Sequence, residues 1–80
     1  MPLYGVQCYW DCDELGLSLD QRRFESRDDR LARRGFLRRV AQIRRESRRP
    51  NSTKVSGPIR FFRLNDRGTE GTLLTSVVAS

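Results

Sequence analysis

The segment from Arg27 to Arg49 constrains this chain more than any other. At about 100° per residue, Arg27, Arg30, Arg34, Arg38, Arg45, Arg48 and Arg49 gather on one side of a helix. Arg33 and Arg44 fall at the rim of that side. The opposite side carries Ala32, Gly35, Phe36, Val40 and Ile43, the spacing with which a helix buries a stripe against another layer. Asp28, Asp29 and Glu46 lie nearer the apolar side than the centre of the basic one. Twelve of the sixteen basic residues fall between Arg22 and Arg49, so the cationic surface belongs mostly to one element.

With 80 residues, the chain makes one small domain, 1–80, and a domain near this size buries only about 60–65% of its unfolded surface. The thin core and the net charge of +6 both favour help from a partner, because like charges repel in the compact state. The basic set is fifteen Arg and one Lys, Lys54. A guanidinium binds phosphate or carboxylate through a planar fork and stacks on bases, which an ammonium does not do. A GC-rich coding bias accounts for arginine over lysine as readily, but not for the segregation of arginines to one face. No apolar run reaches the ~20 residues of a membrane span, and Met1-Pro2-Leu3-Tyr4-Gly5 does not resemble a secretory signal. The expected location is therefore cytoplasmic, in a host cell if the chain is virus- or phage-encoded. In that setting Asn51-Ser52-Thr53 is only a formal glycosylation sequon.

Residues 3–10 alternate, with Tyr4, Val6, Cys8 and Trp10 on one side, and read as a strand with one buried face. Residues 11–18 read as an acidic loop. Two helix starts then compete, Ser18-Leu19-Asp20-Gln21 and Ser26-Arg27-Asp28-Asp29, each a cap followed by an acid or amide. The apolar stripe is coherent only from Leu31 onward. The expectation for the helical segment, about 19–49, is a short turn near 19–24 and a main helix from about 27 to 48. Gly35 costs that helix about 1 kcal/mol relative to Ala. It fits a close approach by another element, or a break that would give a helix-turn-helix.

Pro50 ends the helix by restricting Arg49. Residues 50–57 read as a polar connector and 58–78 as a hairpin, turning at Asn65-Asp66-Arg67-Gly68 with Gly in a left-handed position. The order is β-α-β-β, an α+β two-layer fold with one long Arg-rich amphipathic helix on a three-stranded sheet. If adjacent, the strands flanking the helix would run parallel. The other sheet face, including Tyr9, would stay uncovered and hint at a partner.

The basic helix face suits phosphate. Arg60, Arg63 and Lys54 extend it if the second strand lies beside the helix. Phe61 and Phe62 between Arg60 and Arg63 resemble a stacking platform, though at least one ring is expected in the core. A solvated charged face is the plain alternative. Cys8 and Cys12, spaced C-x3-C in a chain without His, make a poor zinc set. Cys8 is expected as a buried apolar residue and Cys12 as a free thiol. Asp11, Asp13 and Glu14 fit loop solvation better than a Mg2+ site, and no cofactor motif occurs. The Arg44-Arg45-Glu46-Ser47 run matches a basophilic kinase site, a short match common in Arg-rich chains.

Without His the commonest general base is missing. A small ribonuclease working with Arg, Lys and Tyr is the remaining enzymatic alternative. The expected function is non-enzymatic binding of RNA or DNA backbone, within a ribonucleoprotein or as a viral or phage regulatory factor. The proposed contacts are Arg27, Arg30, Arg34, Arg38, Arg45, Arg48, Arg49, Lys54, Arg60 and Arg63. The alternative is a protein-interaction module of the phage or viral inhibitor type, docking on an acidic surface of a host protein. A homodimer, or a place in a larger complex, is compatible with either.

Overall fold

A computed structural model describes residues 1–50, 53–68 and 71–79. Its elements are β1 (Leu3–Cys12), β2 (Gly16–Glu25), α1 (Asp29–Ser47), β3 (Thr53–Leu64) and β4 (Gly71–Val77). The strands form one sheet in the order β2-β1-β3-β4, with every neighbouring pair antiparallel. The α+β class and the single long helix match expectation. The three-stranded sheet does not.

The fourth strand is β2, where an acidic loop and a short helical turn were expected. The chain reverses at Asp13 to Leu15, where the Leu15 N–H donates to the Cys12 carbonyl at 2.9 Å, and Gly16 takes the left-handed conformation that ends the turn, with φ +77°. β2 then pairs along the whole of β1, from Cys12 opposite Gly16 to Leu3 opposite Glu25. Ser18, Asp20, Arg22 and Phe24 share the helix-facing side with Trp10, Cys8, Val6 and Tyr4. Only Phe24 in that set is apolar. An edge strand held by its ladder to β1 needs no apolar alternation, so the cap-like Ser18–Gln21 pattern suggested a helix that does not form.

This hairpin also overturns the expected parallel pair. β2 returns the chain to the start of β1, so α1 runs alongside β1 in the same direction and β3 returns antiparallel to it. β3 begins at Thr53, inside the expected connector 50–57, and the expected hairpin start at Pro58 is instead the site of a bulge. Between Gln7–Arg60 and Tyr9–Ser56 the register slips, and Gly57 has φ +76°. Pro58, which has no N–H, is accommodated in the irregular stretch. Asn51 and Ser52, and with them most of the sequon, lie outside the described residues. The turn at Asn65–Gly68 is as expected: the Gly68 N–H donates to the Asn65 carbonyl at 2.9 Å, with φ +68° at Gly68.

Ala32, Phe36, Val40 and Ile43 are buried, packing with Tyr4, Val6, Cys8, Ile59 and Phe61 of the sheet. Phe36 stacks on Phe61 with ring centroids 4.8 Å apart, and Tyr4 lies 5.7 Å from the same ring. Each large apolar side chain so buried contributes about 1.5–3 kcal/mol. Gly35 sits where the Phe24 ring approaches, since a Cβ there would meet Phe24 Cε2 at 3.3 Å. The helix is continuous through it, so the helix-turn-helix alternative is overturned and the close approach is the reason for Gly.

Candidate nucleic-acid interface

Three sets of contacts fix how α1 is rolled on the sheet, and therefore which arginines face outward. At its start, Asp28 caps the helix by accepting the Leu31 N–H at 2.9 Å. Asp29 Oδ1 accepts from the Tyr4 hydroxyl at 2.5 Å and from Arg63 Nε at 3.1 Å, with Arg63 Nη2 on the same oxygen. The Arg63 guanidinium and then the Tyr4 hydroxyl hold the Asp29 carboxyl below its usual range. Burial, then the hydrogen bond to Asp29, raises Tyr4.

Midway along, Arg39 is 9% exposed and donates from Nη2 to Asp20 Oδ2 at 2.8 Å, while Trp10 Nε1 donates to the same oxygen at 3.1 Å. At the end, Lys54 Nζ donates to the carbonyls of Ser47 and Arg49 at 2.7 and 2.8 Å. The Ser47 carbonyl is an orphan of the last turn, where a cation is favoured, and that of Arg49 lies just beyond the cap. Ser47 Oγ accepts the Val55 N–H at 3.1 Å, and Arg44 Nη2 donates to the Val78 carbonyl at 2.7 Å.

With the roll fixed, Arg34, Arg38 and Arg45 point directly away from the sheet, flanked by Arg30 and Arg48, and all five are exposed. They run about 27 Å along the axis at 1.5 Å per residue. The acids of the helix, Asp29 and Glu46, lie toward the sheet. The ion pairs found among the described residues use Arg22, Arg39 and Arg63, so none occupies this flank. No family model, curated protein or solved structure matches the chain. What the flank does must therefore be argued from its chemistry.

The ten basic residues expected to form one track are not all brought together. Arg27 is exposed just before the helix and Arg49 just beyond its cap. Lys54 is occupied at the helix end and Arg63 at the helix start. Arg60 pairs with Gln7 and lies on the sheet face away from α1, so it does not extend the helical flank. Phe61 and Phe62 also part company: Phe61 is core, while Phe62 is half-buried on the far face, which dissolves the adjacent-ring platform.

Sequence reasoning missed Arg39 and Asp20. The signal was present for Arg39, which stands three residues after Phe36 and four before Ile43, within the apolar stripe. Among the described residues no three carboxylates or thiols converge as a metal site, so Asp11, Asp13 and Glu14 do not form the weighed Mg2+ cluster. Cys8 is buried and Cys12 half-buried, both as free thiols. Burial pushes the Cys8 thiol up to about 11. Ser47, the residue of the kinase-like run, is engaged with the Val55 backbone. No helix is long and apolar enough to cross a membrane.

Proposed function

We propose that this protein binds the phosphate backbone of nucleic acid, without turnover, through the outward flank of α1. The observation that carries this reading is the run Arg30, Arg34, Arg38, Arg45 and Arg48, exposed and free of interspersed acid on a helix whose roll is fixed by its buried face. A row of guanidiniums over about 27 Å suits a chain of phosphates better than a single anion. Engagement of five phosphates on a duplex gives a log–log salt slope near −4.5. The flank holds no aromatic side chain for stacking, which supports backbone recognition over reading of bases.

A second reading, docking on an acidic protein surface, draws on Leu31 and Leu37, which are 38% and 50% exposed at the borders of the stripe. Such leucines serve a protein interface better than a phosphate track. The two separate by titrating binding to an unrelated duplex and to single strands across a salt series. Arg34→Glu with Arg38→Glu should abolish binding to all of them, while Arg34→Lys with Arg38→Lys keeps most of the slope. Affinity that ignores salt, or that survives the double Glu variant, refutes the phosphate reading. Release of labelled fragments by purified protein would overturn its non-enzymatic part.

A further inference from the structure

Between the last turn of α1 and the turn end of the β1–β2 hairpin lies a recess of about 420 Å3, lined by Trp10, Cys12, Ser18, Glu46, Arg49 and Thr53. That volume falls within the range of about 300–1,000 Å3 common for small-ligand sites. Trp10 and Ser18 are registered neighbours on the helix-facing side of β1 and β2, and Cys12 is registered with Thr53 across β1 and β3. The indole is fixed, since its Nε1 donates to Asp20 Oδ2 at 3.1 Å and Arg39 holds the same oxygen at 2.8 Å. With that N–H engaged, Trp10 offers the recess an apolar ring. The rim is fixed as well: the Arg49 N–H donates to the Glu46 carbonyl at 3.2 Å, and Lys54 Nζ holds the Arg49 carbonyl.

Glu46 is the polar group without a partner. It is half-buried, and among the described residues its carboxylate takes part in no hydrogen bond or ion pair. It also stands in the last turn of α1, where the negative helix end disfavours a carboxylate. The acids at the other end of the helix are engaged, Asp28 with the Leu31 N–H and Asp29 with Tyr4 and Arg63. The recess beside them, although it is lined by Arg27 and Arg63, therefore leaves neither of these carboxylates unpartnered.

An ionised carboxylate has only acceptors, so two neighbouring N–H donors on one flat edge satisfy both of its oxygens. Among the nucleobases guanine alone presents that pair, N1–H beside N2–H. Adenine and cytosine set a ring acceptor beside their amino group, and uracil or thymine sets one N–H between two carbonyls. Stacking on an indole is open to every base, which leaves Glu46 as the discriminating contact. We propose that this recess binds the base of one unpaired guanine nucleotide, stacked on Trp10, with N1–H and N2–H donated to Glu46 and the phosphate held by Arg49.

A guanidinium carries the same pair of donors, but charge disfavours it. Arg49 lines the recess, Arg48 precedes it on the exposed flank, and the chain carries +6, so a further cation is repelled while a phosphate is attracted. Arg48 ends the outward flank and Arg49 follows it, so a strand whose phosphates lie along the flank passes the recess at its end. That the guanine belongs to such a strand rests on the proposed function. The guanine site itself does not.

The chain has a single tryptophan, so fluorescence of Trp10 reports occupancy of the recess. Guanosine, adenosine, cytidine and uridine monophosphates and free arginine are titrated into the unmutated protein and into Arg34→Glu with Arg38→Glu. The expected result in both is saturable quenching by guanosine monophosphate, about tenfold to a hundredfold tighter than by the other nucleotides, the discrimination of one bidentate contact. Glu46→Ala should level the four nucleotides with unchanged circular dichroism, and Arg49→Ala should weaken guanosine monophosphate but not guanosine. In the unmutated protein, guanosine monophosphate should slow alkylation of Cys12 over the same concentration range, which locates the ligand independently of any variant. Quenching without guanine preference, a preference that survives Glu46→Ala, tighter binding of arginine, or an unprotected Cys12 each overturns the proposal.

A blunt duplex that fails to bind leaves those results standing and sinks only the phosphate reading of the flank. Duplexes with a one-nucleotide guanine or adenine overhang then identify the source of the nucleotide. A guanine overhang favoured by the same factor assigns the base to the bound strand, and equal binding assigns the site to the free nucleotide.

Discussion

Asp29 joins three parts of the chain that are remote in sequence. Its Oδ1 receives Tyr4 from β1 and Arg63 from β3 while standing in the first turn of α1, where a carboxylate also faces the positive helix end. Because these donors favour the charged form, the carboxyl titrates lower in the folded chain than in the unfolded one. The stabilisation is present above the ordinary carboxylate range and is lost as pH falls through the lowered folded value. Urea midpoints across an acid series should therefore fall, and Asp29→Asn should flatten that limb. Cys8 works in the opposite sense. Desolvation raises its thiol from 9.0 to about 11, so folding gains from the protonated form below the ordinary thiol value and loses that gain as pH rises through about 11. An alkaline stability limb that becomes shallower in Cys8→Ala, with the part due to the raised Tyr4 hydroxyl remaining, is the expected outcome. A thiol reagent at neutral pH should modify Cys12 at once and Cys8 only at the rate of unfolding.

The helix is the element whose contacts serve the candidate site most directly. Its N-cap bond from Asp28 should be worth about 1 kcal/mol, so Asp28→Ala should lower the urea-derived unfolding free energy by that amount without changing the far-UV spectrum of the folded state. α1 was legible because a 3.6-residue period runs through Ala32, Phe36, Val40 and Ile43 and meets a clean polar face. β1 was legible from its two-residue period. β2 was not, because an edge strand with Phe24 as its one apolar inward residue leaves no period to read, and its partner is chosen by β1. Gly57-Pro58 reads as the step from connector to hairpin because the same two residues also mark a bulge, and only the ladder on both sides of it tells them apart.

For the whole molecule, a net charge of +6 concentrated along one helix has opposite consequences for stability and for binding. Added salt screens the repulsion between neighbouring guanidiniums, so the thermal midpoint of the free protein should rise between about 0.01 and 0.15 M salt, over which the Debye length falls from about 30 to 8 Å. Affinity for nucleic acid should fall over the same interval. A midpoint that instead drops steadily would mean that surface ion pairs, and not self-repulsion, dominate the electrostatics. Arg34 and Arg38 could be assigned to the outward flank from the sequence because helix geometry alone sets their angle to Phe36 and Val40. Lys54, Arg60 and Arg63 could not be assigned, because their surroundings depend on which strand lies beside which.

The residues themselves determined that there would be one amphipathic helix, that its apolar stripe would be buried and that its arginines would share a side, since these follow from local periodicity and the cost of wetting Phe36 and Ile43. Tertiary structure alone decided that the sheet has four strands and no parallel pair, that the partner of Arg39 is Asp20, and that Arg60 faces away from the helix. Those outcomes rest on strand order and register, which join residues far apart in the chain through backbone hydrogen bonds that form whatever the side chains, proline excepted.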